Sequence, residues 1–271
     1  MKIALVQTRT PATPEAARDH VLPLVRRAAA GGAALIATPE GTNLLEKDKE
    51  KLLPLLRPLE EDLVVQALRA AARELGVAIL MGSALVRRTD GKAANRAALI
   101  SPAGEIVATY DKLHMFDVDL PSGESARESA TYEPGERAVA VEAAGAKLGL
   151  SICYDLRFPA LYRALALAGA EVLAVPAAFT RPTGQAHWEV LLRARAIETG
   201  SFVLAPAQGG FHEDGRGTYG HSLVVGPWGE VLAHLDHDAP GVLLAELDLA
   251  AVDKARRAIP ALANARPFRG P

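Results

Sequence analysis

Three side chains from separate parts of the chain carry the chemistry of a nucleophilic site: Glu40, Lys112 and Cys153. Cys153 is the only cysteine. It follows the apolar positions Leu148, Leu150 and Ile152 and precedes Pro159 and an apolar-rich stretch, residues 161–167, that closes at Gly169. This pattern places it where a buried strand gives way to a helical segment. A thiol there faces the backbone N–H groups that open the next element, and their positive field predicts a lowered pKa and a thiolate nucleophile. Glu40 lies in Thr38-Pro39-Glu40-Gly41 at the end of a short apolar run, and Lys112 follows the strand candidate at residues 105–110. Strand ends of this kind line ligand sites in α/β sheets. A carboxylate can take the thiol proton, an ammonium stabilises thiolate and oxyanion, and the Tyr154 N–H can point at the same oxyanion. Singly, each residue has a plainer explanation, the cysteine as a small buried hydrophobe and the charges as solvated surface groups. Only the three together point to catalysis.

Arg157 follows the cysteine by four positions. Its guanidinium suits a bidentate grip on a substrate carboxylate, or a structural pair with Asp155 or another acid. The scattered histidines lack metal-ligand spacing, and the chemistry requires neither metal nor organic cofactor.

The elements that position these groups follow from periodicity. Residues 2–8 read as a buried strand, a helix opens at Pro14-Glu15 and stops at Gly31-Gly32, and residues 33–38 form the strand that delivers Glu40. Residues 44–57 read as a surface excursion, and residues 60–75 as a helix with Leu63, Val64, Ala67, Leu68 and Ala71 on one face. Strands at 77–86, 96–101 and 105–110 are separated by Thr89-Asp90-Gly91 and Pro102-Ala103-Gly104, short turns that predict antiparallel neighbours. Residues 113–136 have no period and are expected to wall the site. Beyond them come strands at 138–142, 147–152 and 171–175, a helix at 185–199, and strands at 202–207, 220–225, 230–234 and 242–247. Asp248 caps a last helix at 249–258. The polar, glycine-rich loop 208–220 belongs near the same end of the sheet, and the tail 261–271 docks on another subunit or stays mobile. No repeat or linker is visible.

A chain of 271 residues, 49% of them hydrophobic, can bury a large core, and a single α/β domain over residues 1–271 accounts for it. The net charge of -2, without a basic block, gives nucleic-acid binding no support and favours a small-molecule partner. One cysteine excludes an internal disulfide, and the opening Met1-Lys2-Ile3 runs into a strand without an apolar leader. No apolar segment approaches the ~20 residues needed to span a bilayer. A soluble, cytoplasmic protein without a membrane partner is the expectation.

Three stretches resemble the motifs of the nitrilase, or carbon-nitrogen hydrolase, superfamily: Thr38-Pro39-Glu40-Gly41-Thr42-Asn43, Tyr110-Asp111-Lys112-Leu113-His114-Met115-Phe116-Asp117, and Ser151-Ile152-Cys153-Tyr154-Asp155-Leu156-Arg157-Phe158-Pro159. The segments around His187-Trp188-Glu189 and Tyr219-Gly220-His221 are similar to the branch that holds deaminated glutathione amidases and omega-amidases. The resemblance covers nearly the whole chain. It implies Glu40, Lys112 and Cys153 as a catalytic triad, and a second glutamate, Glu128 of Arg127-Glu128-Ser129, supporting the lysine and the leaving group. It implies substrate contacts from Arg157, Phe179 and Thr183, with Tyr154 supplying its N–H. The implied fold is a four-layer α-β-β-α sandwich that pairs through helices into homodimers or larger homo-oligomers. The helices starting at Phe158 and Gln185 are the expected interface. The implied reaction is hydrolysis of a small amide, deaminated glutathione or a related keto-acid amide, through a thioester. An omega-amidase, an N-carbamoyl amidohydrolase or a nitrilase would carry the same motifs. A thiol redox sensor or an idle scaffold is the reading from a different class, but a sensor more often has a resolving cysteine, and a scaffold needs neither Glu40 nor Lys112.

Overall fold

The first strand, β1 (Lys2–Gln7), is buried along nearly all its length, and its residues divide by parity. Ile3 and Leu5 join one apolar cluster, Ala4 and Val6 another. Successive side chains of a strand point to opposite faces, so this strand must be covered on both. The computed structural model describes residues 1–120, 123 and 125–270. After β1 come α1 (Pro14–Ala30), β2 (Leu35–Ala37), a short α2 (Lys49–Leu52), α3 (Leu63–Leu75), β3 (Ala78–Arg87), β4 (Ala93–Ile100) and β5 (Ile106–Asp111). A small pair, β6 (Asp117–Asp119) and β7 (Ser125–Arg127), leads to β8 (Val139–Ala143), β9 (Ala146–Leu150), α4 (Pro159–Leu167), β10 (Val172–Ala174) and α5 (Arg181–Thr199). The chain continues through β11 (Phe202–Ala205), β12 (Gly209–Phe211), β13 (Gly217–Tyr219), β14 (Leu223–Val225), β15 (Val231–His234), β16 (Gly241–Glu246) and α6 (Ala250–Ala258).

Among the described residues the main strands form two six-stranded sheets, ordered β16-β1-β2-β3-β4-β5 and β15-β14-β11-β10-β9-β8. Read from β16 and from β8, the pairings follow one succession: antiparallel, parallel, parallel, antiparallel, antiparallel. The sequence shows no repeat, yet the topology repeats, because many apolar residues serve equally in a doubly covered strand. In this correspondence β9 matches β1 and β10 matches β2.

The layers follow from the two clusters. One packs Ala4, Val6, Ile36 and Ile79 against Val21 and Val25 of α1 and Val64 and Leu68 of α3. The other joins Ile3, Leu5, Leu35 and Leu80 of the first sheet to Leu148, Val172 and Val203 of the second, and continues to Leu165 of α4 and Trp188 of α5. The result is helix, sheet, sheet, helix, the expected four-layer sandwich.

Four local readings are corrected. Residues 44–57 are not a solvated excursion: Leu44, Leu52 and Leu56 are buried with Leu85 and Ala93 in a cluster of their own. The stretch 113–136 holds β6 and β7, and the loop 208–220 holds the hairpin β12-β13. The helix expected from residue 185 starts at Arg181, because Thr180 is extended and Pro182 is favourable in a first turn that has no N–H bonds to lose. A 3-10 turn, Cys153–Arg157, intervenes between β9 and α4, which starts at Pro159. Pro121, Ser122 and Glu124 of the irregular stretch and Pro271 of the tail lie outside the described residues. Among the described residues no helix is long and apolar enough to cross a membrane.

Candidate active site

Glu40 follows β2, Lys112 follows β5 and Cys153 follows β9, so both sheets send residues to one end of the sandwich. All three side chains are buried. Lys112 Nζ lies 3.0 Å from Glu40 Oε1 and 2.8 Å from Glu128 Oε2, so one ammonium serves two carboxylates. The remaining oxygens are also satisfied. Ala178 N donates to Glu40 Oε2 at 2.9 Å and Phe116 N to Glu128 Oε2 at 2.6 Å. Asn95 Nδ2 donates to Glu40 Oε1 at 2.8 Å and to Glu128 Oε1 at 3.2 Å. Turning that amide nitrogen to the two carboxylates leaves Asn95 Oδ1 buried without a partner among the described residues. An unsatisfied buried acceptor costs about 1–3 kcal/mol, less than a bare carboxylate in the same place would.

The backbone holds these groups firmly. Thr42 Oγ1 donates to Pro39 O and shares a hydroxyl–hydroxyl hydrogen bond with Thr38 Oγ1, both at 2.7 Å, and Gln208 Nε2 donates to Glu40 O at 2.9 Å. Gly82 of β3 meets the same segment, and a Cβ there would stand 2.0 Å from Thr38 O and 2.4 Å from Pro176 Cβ. Only glycine lets the two sheets approach so closely at the site.

Cys153 itself has φ of 50°. For an L-residue the left-handed region costs about 1–2 kcal/mol, so neighbouring bonds must enforce it. Cys153 N donates to Pro176 O at 2.9 Å, and Ile152 N donates to Asp155 Oδ2 at 2.9 Å. The buried Asp155 also accepts from the Tyr110 hydroxyl at 2.6 Å and from His114 N at 3.0 Å, tying the lysine segment to the cysteine turn. Among the described residues no protein acceptor takes the Tyr154 N–H.

The ionisation state differs from the sequence expectation. Burial, followed by the facing Glu40 carboxylate, pushes the Cys153 thiol well above its usual value, and the opposing Lys112 charge does not cancel them. The thiolate predicted from a helix-start field is therefore replaced by a protonated thiol beside a base. Burial acts to raise the Glu40 carboxyl too, but Lys112 and hydrogen bonds from Cys153 and Asn95 prevail and hold it below the usual range. Burial alone would lower the Lys112 ammonium, yet Glu128 and Glu40 raise it well above the ordinary lysine value. A protonated thiol, an ionised carboxylate and an ammonium thus sit together, an arrangement that can pass a proton from sulfur to carboxylate.

These groups open into a cavity of about 410 Å³, within the size range of small-molecule sites. Tyr154, Phe179 and Thr183 line it with Glu40, Lys112, Glu128 and Cys153. Arg157 stands behind this wall, its guanidinium 5.5 Å from the Phe179 ring centroid and 6.0 Å from that of Tyr154. Its nearest polar neighbour is His187 Nδ1 at 3.4 Å, while Asp155 is engaged elsewhere. Sequence reasoning missed Asn95, Tyr132 and Lys47, which also line the cavity, while Arg216 enters it from the polar loop 208–220 expected at this end of the sheet. Asn95 lies in an alanine-rich strand without a spacing signal, and its role is defined only by what lies opposite. Among the described residues no group of three or more His, Cys, Asp or Glu is arranged to hold a metal ion.

Residues 2–257 match the family described as Carbon-nitrogen hydrolase. The chain is 43% identical over 249 residues to the deaminated glutathione amidase of Homo sapiens, covering 90% of this chain and 76% of that protein. It is 42% identical over 248 residues to the deaminated glutathione amidase of Synechocystis sp. (strain PCC 6803 / GT-S), covering 88% of each. Among solved structures, the C. elegans NitFhit protein is similar with a TM-score of 0.91 at 33% identity, covering 98% of this chain and 65% of that one. A mutant amidase from Nesterenkonia sp. AN1, showing the result of Michael addition of acrylamide at its active site cysteine, gives a TM-score of 0.79 at 29% identity and covers 96% of this chain and 98% of that one.

Proposed function

This chain belongs to the carbon-nitrogen hydrolase family, and we propose that it hydrolyses deaminated glutathione or a related small keto-acid amide with Cys153 as nucleophile. It is a cysteine-dependent amidase, similar across most of its length to deaminated glutathione amidases. The observation that carries the assignment of roles is the convergence of Glu40, Lys112, Glu128 and Cys153 on one cavity.

In the proposed mechanism Glu40 takes the thiol proton as sulfur attacks the amide carbon. The carbonyl oxygen gains the electron pair of the C=O π bond, and Lys112 with the Tyr154 N–H stabilises it. A donor of this kind supplies about 3 kcal/mol of barrier reduction. The oxyanion collapses, the C–N bond breaks, and the departing nitrogen receives the proton from Glu40, leaving an acyl thioester on Cys153. Glu128 steadies Lys112 and faces the leaving group. Water then attacks the thioester, Glu40 takes its proton and returns it to sulfur, and the carboxylic acid leaves. Phe179, Thr183 and Arg157 orient the acyl part, Arg157 meeting its carboxylate at the cavity edge.

The experiment is an assay of amine and ammonia release from keto-acid amides, with mass spectrometry of the quenched enzyme. The expected result is turnover by the wild type, an acyl adduct on Cys153, and no turnover by a folded Cys153→Ala variant. Retention of even a tenth of the wild-type rate by that variant removes Cys153 from the nucleophile's role. The exposed Leu167 of α4, Val190 and Ile197 of α5, and Trp228 between β14 and β15 support pairing of this face with a second copy, to be tested by light scattering.

A further inference from the structure

The four carboxylate oxygens of Glu40 and Glu128 share Lys112, and their donors are distributed unevenly. Glu40 Oε1 receives Lys112 Nζ at 3.0 Å and Asn95 Nδ2 at 2.8 Å. Glu128 Oε1 receives the same two nitrogens at 3.0 and 3.2 Å. Glu128 Oε2 receives Lys112 Nζ at 2.8 Å and Phe116 N at 2.6 Å. Glu40 Oε2 has a single N–H donor among the described residues, that of Ala178 at 2.9 Å. Three oxygens are thus held by two donors each, and the fourth is left the most basic. The Cys153 thiol donates to the carboxylate that carries it.

This distribution depends on Asn95. It lies in β4 among Ala93, Ala94, Ala97 and Ala98, 3% exposed, and its backbone O accepts from Lys112 N at 3.0 Å. One residue therefore fixes the lysine through its main chain and both carboxylates through its side chain. Charge sets the orientation of the amide: turned over, it would aim Oδ1 at two carboxylates. As it stands, Oδ1 is buried without a partner among the described residues. A strand shaped for packing alone would not retain a half-satisfied amide. Without its two N–H groups, Oε1 of each carboxylate would rest on Lys112 alone, and two carboxylates on one ammonium tend to trap a proton between them.

We propose that Asn95 is a positioning residue of the reaction: its amide holds Glu40 and Glu128 ionised side by side, so that the proton taken from Cys153 rests on Glu40 Oε2 and passes to the departing nitrogen, not to Glu128. This rests on the amidase reading above and adds to it the group that tells the two glutamates apart. Around the pair stand Lys112, Cys153 and Tyr132, whose hydroxyl burial raises, and further along the cavity wall Glu46, Lys47, Arg127 and Arg216. No histidine lines the cavity among the described residues, so only carboxylates titrate between about pH 4 and 7.5.

The test needs no substrate. Iodoacetamide alkylation of Cys153 is followed against pH in the wild type, in Asn95→Leu, which keeps the volume and removes both N–H groups, and in Asn95→Ser, which keeps one donor. Thermal melts identify the folded variants. Loss of a hydrogen bond to a charged group should move the acid limb of the profile up by about one to two pH units. The ratio of rates at pH 7.5 and pH 5 should then be near one in the wild type, about three- to ten-fold in Asn95→Leu and about two-fold in Asn95→Ser. A purely structural role would slow alkylation equally at both pH values and leave the ratio near one. That result in folded Asn95→Leu, or in Asn95→Ser should the leucine variant not fold, overturns the proposal. So does a protonated carboxyl band in the infrared spectrum of the wild type at pH 7 that Glu128→Gln removes, a measurement for which Asn95 need not be changed. The keto-acid amide assay fails or succeeds independently, so loss of that reading is distinguishable from loss of this one.

Discussion

Lys112 Nζ lies 3.0 Å from Glu40 Oε1 with both side chains almost entirely shielded from water. Glu128 approaches the same ammonium at 2.8 Å, so the lysine separates two carboxylates that could not otherwise share the site. Lys112→Met should therefore damage both fold and chemistry. Removing one partner of a buried ionic set costs about 3–5 kcal/mol, to be read from urea melts. Glu128→Gln keeps the Lys112–Glu40 pair, so it should cost less stability yet still slow acylation in single-turnover kinetics. Normal steady-state kinetics for Glu128→Gln would reduce Glu128 to a structural counter-charge.

The second prediction concerns pH. Glu40 is held below its usual range, and Cys153 and Lys112 are raised well above theirs. A depressed carboxyl contributes stability that is present above its unfolded value and lost as pH falls through the folded one. A raised lysine contributes stability present below its unfolded value and lost as pH rises through the folded one. Between the ordinary carboxylate and thiol values, about 4.3 and 8.5, these groups should leave stability flat, and above about 8.5 the proton that folded Cys153 retains should make stability fall as pH rises. Alkylation of Cys153 should likewise show no inflection near the free-thiol value of about 8.5. An inflection at pH 6 to 7 would restore the low-pKa thiolate.

That reversal shows where sequence reading stops. Glu40, Lys112 and Cys153 are legible because reactive residue types at the ends of short apolar runs are few, and β2, β5 and β9 do precede them. The thiolate inference uses the local field of residues after Cys153, whereas burial and Glu40 act from distant parts of the chain. The hairpin β12-β13 and the buried role of Leu44, Leu52 and Leu56 escape for a similar reason. Their patterns are short, and the surfaces they cover come from elsewhere. Asn95 acquires meaning only from what the fold sets opposite it, Glu40 and Glu128.

Gly82 gives a third prediction, because its missing side chain lets the segment before Glu40 in its own sheet and Pro176 of the other sheet close over β3. A Cβ would overlap Thr38 O at 2.0 Å and Pro39 O at 2.7 Å, backbone atoms that cannot rotate away. Gly82→Ala should destabilise by about 1–3 kcal/mol, as overpacking does. It should also lower kcat by displacing the segment that carries Glu40. A variant with wild-type melting and kcat would show that the segment before Glu40 shifts more easily than the packing implies.

Arg157 bears on substrate choice. Its guanidinium has no carboxylate partner among the described residues and lies over Phe179 and beside His187, near the cavity but not on its wall. Two roles fit that place, and they separate experimentally. If a substrate carboxylate reaches the guanidinium, the pair favours that substrate by roughly 1.5–3 kcal/mol, ten-fold or more in kcat/KM over a neutral amide. If Arg157 only braces Phe179, its loss affects every amide alike. The comparison is kcat/KM for deaminated glutathione, for the free keto-acid amide and for a neutral aliphatic amide, in wild type, Arg157→Ala and Arg157→Lys. The expected outcome is a strong preference for the two keto acids in the wild type, its collapse in Arg157→Ala through a raised KM, and partial recovery in Arg157→Lys. A wild type that hydrolyses the neutral amide best, or an Arg157→Ala ranking identical to the wild type, sinks the carboxylate role and leaves Arg157 as a prop for the aromatic wall.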